Sequence, residues 1–150
     1  MRRWWIHGAV ALMSSAVAFP SHAQPRQAPS TVEAEAQAFM KAYADDLRAH
    51  RREAIAARYS RKGVFFPAEA AAPKSTETIV DAYRRWKGPA TFEWRDLSYE
   101  VVGADAVVVI GSFVWGSDST ERTISYTGVL VRESGGLRIR VEHESPRPGK

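Results

Sequence analysis

Apolar positions recur every three or four residues through the first half of the chain and every second residue through the rest. In the first regime, Val32, Ala36, Phe39, Met40, Tyr43 and Leu47 form one stripe, which predicts a helix from about Thr31 to His50. Ser30-Thr31-Val32-Glu33 places a hydroxyl at its N-cap and a Glu three residues on, so each can satisfy the other's backbone N–H. A second short helix is expected over Arg52 to Tyr59, then a strand, Val64-Phe65-Phe66, stopped by Pro67. After the loop Ala68 to Lys74, a third helix carries Ile79, Tyr83 and Trp86 on one face and ends at Gly88-Pro89.

The period then drops to two. Thr91 to Val102, Asp105 to Trp115, Thr120 to Glu133 and Leu137 to Ser145 read as four strands, joined by turns short enough for antiparallel hairpins. Between Phe92, Trp94 and Leu97, Tyr99 the apolar parity slips, which predicts a bulge near Arg95-Asp96. Asp105 to Trp115 is apolar on both faces, so its outer face is expected to be covered, with a second subunit as the candidate cover. In the last strand, Leu137, Ile139, Val141 and His143 alternate with Arg138, Arg140, Glu142 and Glu144. Strict alternation puts His143 inside and both glutamates outside. Helices first and a meander after them make an α+β domain, with the helices on one face of the sheet.

Ahead of this pattern stands a different one. Met1-Arg2-Arg3 leads into the apolar run Trp4 to Phe19, followed by small residues before Ala23, in the order of a secretory signal peptide. The run is shorter than the roughly 20 residues that span a bilayer. The expected organisation is a signal peptide 1–23, a linker 24–30, a domain 31–146 and a tail 147–150, with a periplasmic or secreted product free of the membrane after cleavage. Removing 1–23 lowers the formal net charge from +4 to +2. The remaining arginines are interspersed with acids, which gives no footprint for nucleic acid. The 150 residues contain no Cys, which excludes disulfides, thiolate nucleophiles and thiolate metal sites. Glu142-His143-Glu144 alternates faces and cannot assemble a metal set, and no cofactor motif is present.

Two stretches carry a resemblance. Gly136-Leu137-Arg138-Ile139 running into His143-Glu144-Ser145 resembles the closing Gly-Trp-x-Ile and His-x-Ser of the nuclear transport factor 2-like superfamily. Ala54 to Phe66 resembles that family's Leu-x-x-x-Tyr-x-x-Asp-x-x-Phe, with Lys62 at the usual Asp. Leu137 replaces the usual Trp, and Val141 stands where a second His is common. Within the superfamily the chain is most similar to the SnoaL-like and steroid-isomerase-like groups. The resemblance implies a cystatin-like superfold, a cone-shaped curved antiparallel sheet wrapped round three N-terminal helices, with a pocket at the wide end. The steroid isomerases carry a carboxylate base where this chain has Pro67, so their mechanism does not transfer, and Glu69 could replace it only if its loop folded back over the pocket.

Two histidines remain after residue 23. His50 sits among arginines at a helix end, as a cap of carbonyls. His143, placed inside by alternation, is the candidate general base or acid. Tyr43 is the candidate hydrogen-bond donor, since the resemblance implies a tyrosine on the first helix. Tyr59, Phe65, Tyr83, Trp86, Trp94, Trp115, Tyr126 and Thr127 are candidate ligand-binding residues, suited to a small apolar or aromatic molecule. The alternative is a non-catalytic dimerisation or interaction module of the same fold, using the outer face of the sheet. Cystatin-type protease inhibition would need a Gln-x-Val-x-Gly loop that is absent.

Overall fold

A computed structural model describes residues 31–85, 91–117 and 120–147. The expected signal peptide and linker, the Ser30 cap, Trp86 and the Gly88-Pro89 stop lie outside the described residues.

Helix α1 (Thr31–Arg48) buries the predicted stripe: Val32, Ala36, Met40, Tyr43 and Leu47 all enter the core. His50 ends it by its backbone conformation, with a φ of 53°. In that left-handed state His50 N–H reaches Leu47 O (3.2 Å) and Arg51 N–H reaches Asp46 O (3.0 Å), the paired bonds that close a helix C-terminus. Helix α2 (Arg52–Ala57) is only six residues long, under two turns, and the chain is already in strand β1 (Tyr59–Phe66) at Tyr59. A two-residue strand β2 (Lys74–Ser75) precedes α3 (Thr76–Arg85), and β3 (Thr91–Gly103), β4 (Ala106–Ser117), β5 (Thr120–Glu133) and β6 (Gly136–Pro146) follow. The expectation of three N-terminal helices becomes two substantial ones, α1 and α3, because β1 claims the residues that a longer α2 would need.

The six strands lie in the order β2-β1-β6-β5-β4-β3. All neighbours are antiparallel except β1 and β6, which run parallel, so the expected antiparallel sheet is a mixed one. The predicted bulge in β3 is present. Asp96 has a φ of 53°, and the pairing skips from Arg95↔Ser112 to Ser98↔Ile110. Gly111 lies under the bulge, where a Cβ would stand 2.7 Å from Leu97 Cδ2 and 2.9 Å from Arg95 O. Only a residue without Cβ lets the bulged backbone pass there.

A second bulge was not expected and reassigns the last strand. Leu130 pairs with Ile139 but Val129 pairs with Val141, so Arg140 has no opposite residue. Leu137 and Ile139 point inward, and after Arg140 the parity inverts. Glu142 is thereby carried into the core at 2% exposure, and His143 is turned out to solvent.

Facing the helices, Phe92, Phe113, Ile124, Tyr126, Leu130 and Ile139 complete the core with α1. Ring contacts bind it laterally: Phe92 lies 5.1 Å from Phe113, and Trp94 lies 4.7 Å from Tyr126. The opposite face carries two cross-strand rows, Val108, Val129, Val141, Val64 and Ile110, Thr127, His143, Phe66. Among the described residues nothing covers it, and Ile110 is 46% and Phe66 38% exposed.

Candidate functional site

Five elements deliver polar groups into the apolar interior, β6 supplying Glu142. From α1 comes Tyr43, fully buried, at the position where the helical stripe faces the sheet. From β1 comes Tyr59, whose hydroxyl lies 3.0 Å from that of Tyr43 and donates a short hydrogen bond to Glu142 Oε2 on β6. From α3 comes Tyr83, half-buried, its ring 6.4 Å from that of Tyr59. From β5 comes Tyr126, 1% exposed, in a strand pair with Glu144.

Tyr126 depends on a glycine. A Cβ on Gly128 would stand 2.4 Å from the Tyr126 hydroxyl, so the phenol lies over Gly128, and Gly128 is the cross-strand partner of Glu142. The hydroxyl is thus held above the Glu142 row, buried and without a hydrogen-bond partner among the described residues. A buried donor left unpaired costs about 1–3 kcal/mol, which marks it as a group awaiting an acceptor.

Burial pushes the Glu142 carboxyl up to about 8, and repulsion from Glu144 adds to this, while hydrogen bonds from Tyr59 and Tyr43 pull the other way. Burial likewise raises Glu144 to about 7, against the opposing pull of the Ala68 N–H and the Lys74 charge. Tyr43, Tyr59 and Tyr126 are held well above the ordinary phenol range, first by burial and then by the nearby Glu142. The tyrosines therefore stay protonated and can only donate or relay, whereas the carboxyl pair exchanges protons near neutrality. A carboxyl tuned to this range is suited to acid–base work.

Of the residues expected from sequence, Tyr43, Tyr59, Tyr83, Trp94 and Tyr126 converge on this interior, and Phe65 packs beside Tyr59 at 6.5 Å. Trp115 lies further along, edge-on to Phe92 at 6.2 Å. His143 and Thr127 do not converge. They are cross-strand partners on the outer face: His143 because the Arg140 bulge turned β6 over, and Thr127 because it alternates with the buried Tyr126 on β5. Nor does Glu69 fold over the interior; it is exposed and paired with Arg122. Glu142 and Glu144 were missed, since perfect alternation hides a bulge. A signal was present in Tyr126-Thr127-Gly128, where a glycine inside a strand marks a close approach.

The half-buried members, Tyr83 and Glu144, are where the cluster meets the surface. The segment after β1 lies there, with Ala68 packed on the core. Two clefts lie apart from this cluster, one of about 470 Å³ lined by Phe39, Asp46, Arg58 and Leu137, and one of about 290 Å³ between α1 and β3. Asp46, another buried acid, is answered by Arg51 Nε at 2.6 Å and Arg58 Nε at 2.7 Å, and serves to pin α1 to α2 and β1. Among the described residues no three His, Cys, Asp or Glu side chains gather as a metal set, and no helix is long and apolar enough to cross a membrane.

No protein-family model matches the sequence, and neither does any curated protein. Solved structures do match in shape. A protein from Xanthomonas campestris, provisionally described as a calcium/calmodulin-dependent protein kinase II association domain, superposes with a TM-score of 0.69 at 17% identity, covering 94% of this chain and 100% of that one. A nuclear transport factor 2-like protein of unknown function from Pseudomonas putida KT2440 gives 0.68 at 21% identity, over 79% of this chain and 87% of that one. A protein from Novosphingobium aromaticivorans, provisionally described as a scytalone dehydratase, gives 0.63 at 10% identity, over 77% and 83%. The architecture is that of the nuclear transport factor 2-like, or cystatin-like, fold.

Proposed function

We propose, taking the nuclear transport factor 2-like fold as premise, that this chain is an exported pocket protein of SnoaL-like type. It binds a small, largely apolar or aromatic molecule within the cone of the sheet and exchanges a proton with it through Glu142. The observation that carries this reading is the buried Tyr43–Tyr59–Glu142 hydrogen-bond chain, with the unpartnered Tyr126 hydroxyl above it. Glu142 acts as the acid or base, Tyr59 orients its carboxyl and Tyr43 orients Tyr59. Tyr126 donates to an oxygen on the bound molecule, and the half-buried Tyr83 and Glu144 flank the entrance. Fold alone supports many unrelated chemistries, so the role rests on these residues and not on the neighbours.

The test is proton exchange. Incubated in D2O with a small ketone such as 4-phenyl-2-butanone, the protein is expected to speed deuterium entry next to the carbonyl, and Glu142→Gln to lose the effect. Exchange at the buffer rate with the folded wild-type protein would refute the acid–base part of the proposal.

A second reading concerns assembly and is compatible with the first. The outer rows from Ile110 to Phe66 and from Val108 to Val64 favour a homodimer through this face, since an uncovered apolar patch marks an interaction site. Sedimentation would decide it, a monomer at micromolar concentration standing against the dimer.

A further inference from the structure

Buried carboxyls in this chain fall into two kinds. Asp46 has two arginines. Glu142, buried as deeply, has no cation among the described residues; it accepts from Tyr59 and stands near a second carboxyl, Glu144, whose counter-charge is Lys74. The groups facing Glu142 are all neutral or acidic: Tyr43 from α1, Tyr59 from β1, Tyr83 from α3, Tyr126 from β5 and Glu144 from its own strand. Around them stand aromatic rings, with Trp94 6.1 Å from Tyr43 and 4.7 Å from Tyr126, and Phe65 6.5 Å from Tyr59. Acidic side chains in aromatic surroundings are a setting that suits an organic cation.

Acidic groups alone would not indicate a ligand. The second observation is the Tyr126 hydroxyl, 1% exposed, lying over the glycine opposite Glu142 and satisfied by nothing among the described residues. The interior therefore holds an unused donor beside a buried carboxyl, Glu142, that has no counter-cation among the described residues. An amine that carries an oxygen function answers both: its positive nitrogen faces Glu142 and Glu144 across the rings, and its oxygen accepts from Tyr126.

We infer that the molecule bound by this interior is a small organic cation, an amine or quaternary ammonium compound bearing an aromatic or aliphatic body, with its charge placed against the Glu142–Glu144 pair. The inference rests on the interior being the binding site, as proposed above. Binding would take the pair from partly protonated to ionised, so protons leave as the cation enters. At pH 7 the release follows from the raised affinities of both carboxyls for protons.

The experiment is calorimetry of the full domain with benzyltrimethylammonium, whose charge does not vary with pH, alongside the neutral 4-phenyl-2-butanone. Titrations at pH 6 and pH 8.5, in buffers of different ionisation heat, read both affinity and proton release. From Glu142 alone the cation is expected to bind on the order of 75-fold more tightly at pH 8.5, because that carboxyl passes from almost wholly protonated to mostly ionised. Glu142→Gln should cut that dependence to the smaller part that Glu144 contributes, and Glu144→Gln should reduce it if the first variant fails to fold. A ketone that binds while the cation does not, at either pH, overturns the cation and leaves the binding site standing. Cation binding that is indifferent to pH and to both variants places it elsewhere and overturns the inference. If neither compound binds, the inference and the reading beneath it fall together.

Discussion

The most exposed consequence of the site is that the fold should weaken as the solution becomes more alkaline. Glu142 in the unfolded chain ionises near 4.5, whereas in the folded protein burial holds it up to about 8. Between those values the native state keeps a proton that the unfolded state has lost, so stability falls as pH rises, by about 1.36 kcal/mol per pH unit for one such group. From pH 5 to pH 8.5 the integrated loss from Glu142 is on the order of 4 kcal/mol. Above pH 8 the native carboxyl ionises as well and the curve flattens. Replacing Glu142 by Gln removes the titration while keeping an oxygen that can accept from Tyr59. Urea unfolding of the two proteins at half-unit steps from pH 5 to pH 9 should give curves that cross. The variant should be equal or slightly weaker in acid and several kcal/mol ahead of wild type in alkali, with a shallower remaining slope from Glu144, whose carboxyl is raised to about 7. Parallel curves would show that Glu142 is not a buried, desolvated acid, and the account of the site would fail with it.

Tyr126→Phe deletes a buried hydroxyl that bonds to nothing described, so the empty protein should gain about 1 kcal/mol in a thermal or urea melt while losing affinity for ligand. Asp46→Ala should cost about 3 kcal/mol, because Arg58, largely buried, loses its carboxylate, and the loss is read by urea denaturation. Ile110→Lys sets a charge in the middle of the outer apolar row and should turn a dimer into a folded monomer, read by sedimentation velocity with circular dichroism as the control.

Local rules made much of the molecule readable in advance. The α1 stripe could be read because one helix face meets the sheet over its whole length, and the β3 bulge because the apolar residues themselves changed parity at Asp96. Arg140 offered no such slip. Leu137 to Glu144 alternates without fault, and the bulge is visible only as a mismatch against Val129 and Leu130 on the neighbouring strand. Tyr59 was read as the end of a helix for a similar reason. Its conformation is set by pairing with Ile139, far away in sequence, and not by the residues beside it. The candidate site was half legible: its tyrosines followed from helical and strand faces, while its carboxyls depended on a register that no single segment encodes.

The strand that holds those carboxyls is the last of the described strands in sequence, yet it lies between β1 and β5, with partners on both edges. Until β6 has been made, Val64 and Phe65 pair only with the two-residue strand β2, and Tyr59 lacks its strand partner Ile139. Such a molecule cannot mature from its N-terminus as it is synthesised. Strand β1 must wait for β6, which pairs Tyr59 with Ile139 and Phe66 with His143 across most of the domain, a non-local topology that slows folding. Loss of β6 would open the sheet in its middle and leave two fragments, each with a raw edge, rather than a shortened but serviceable domain.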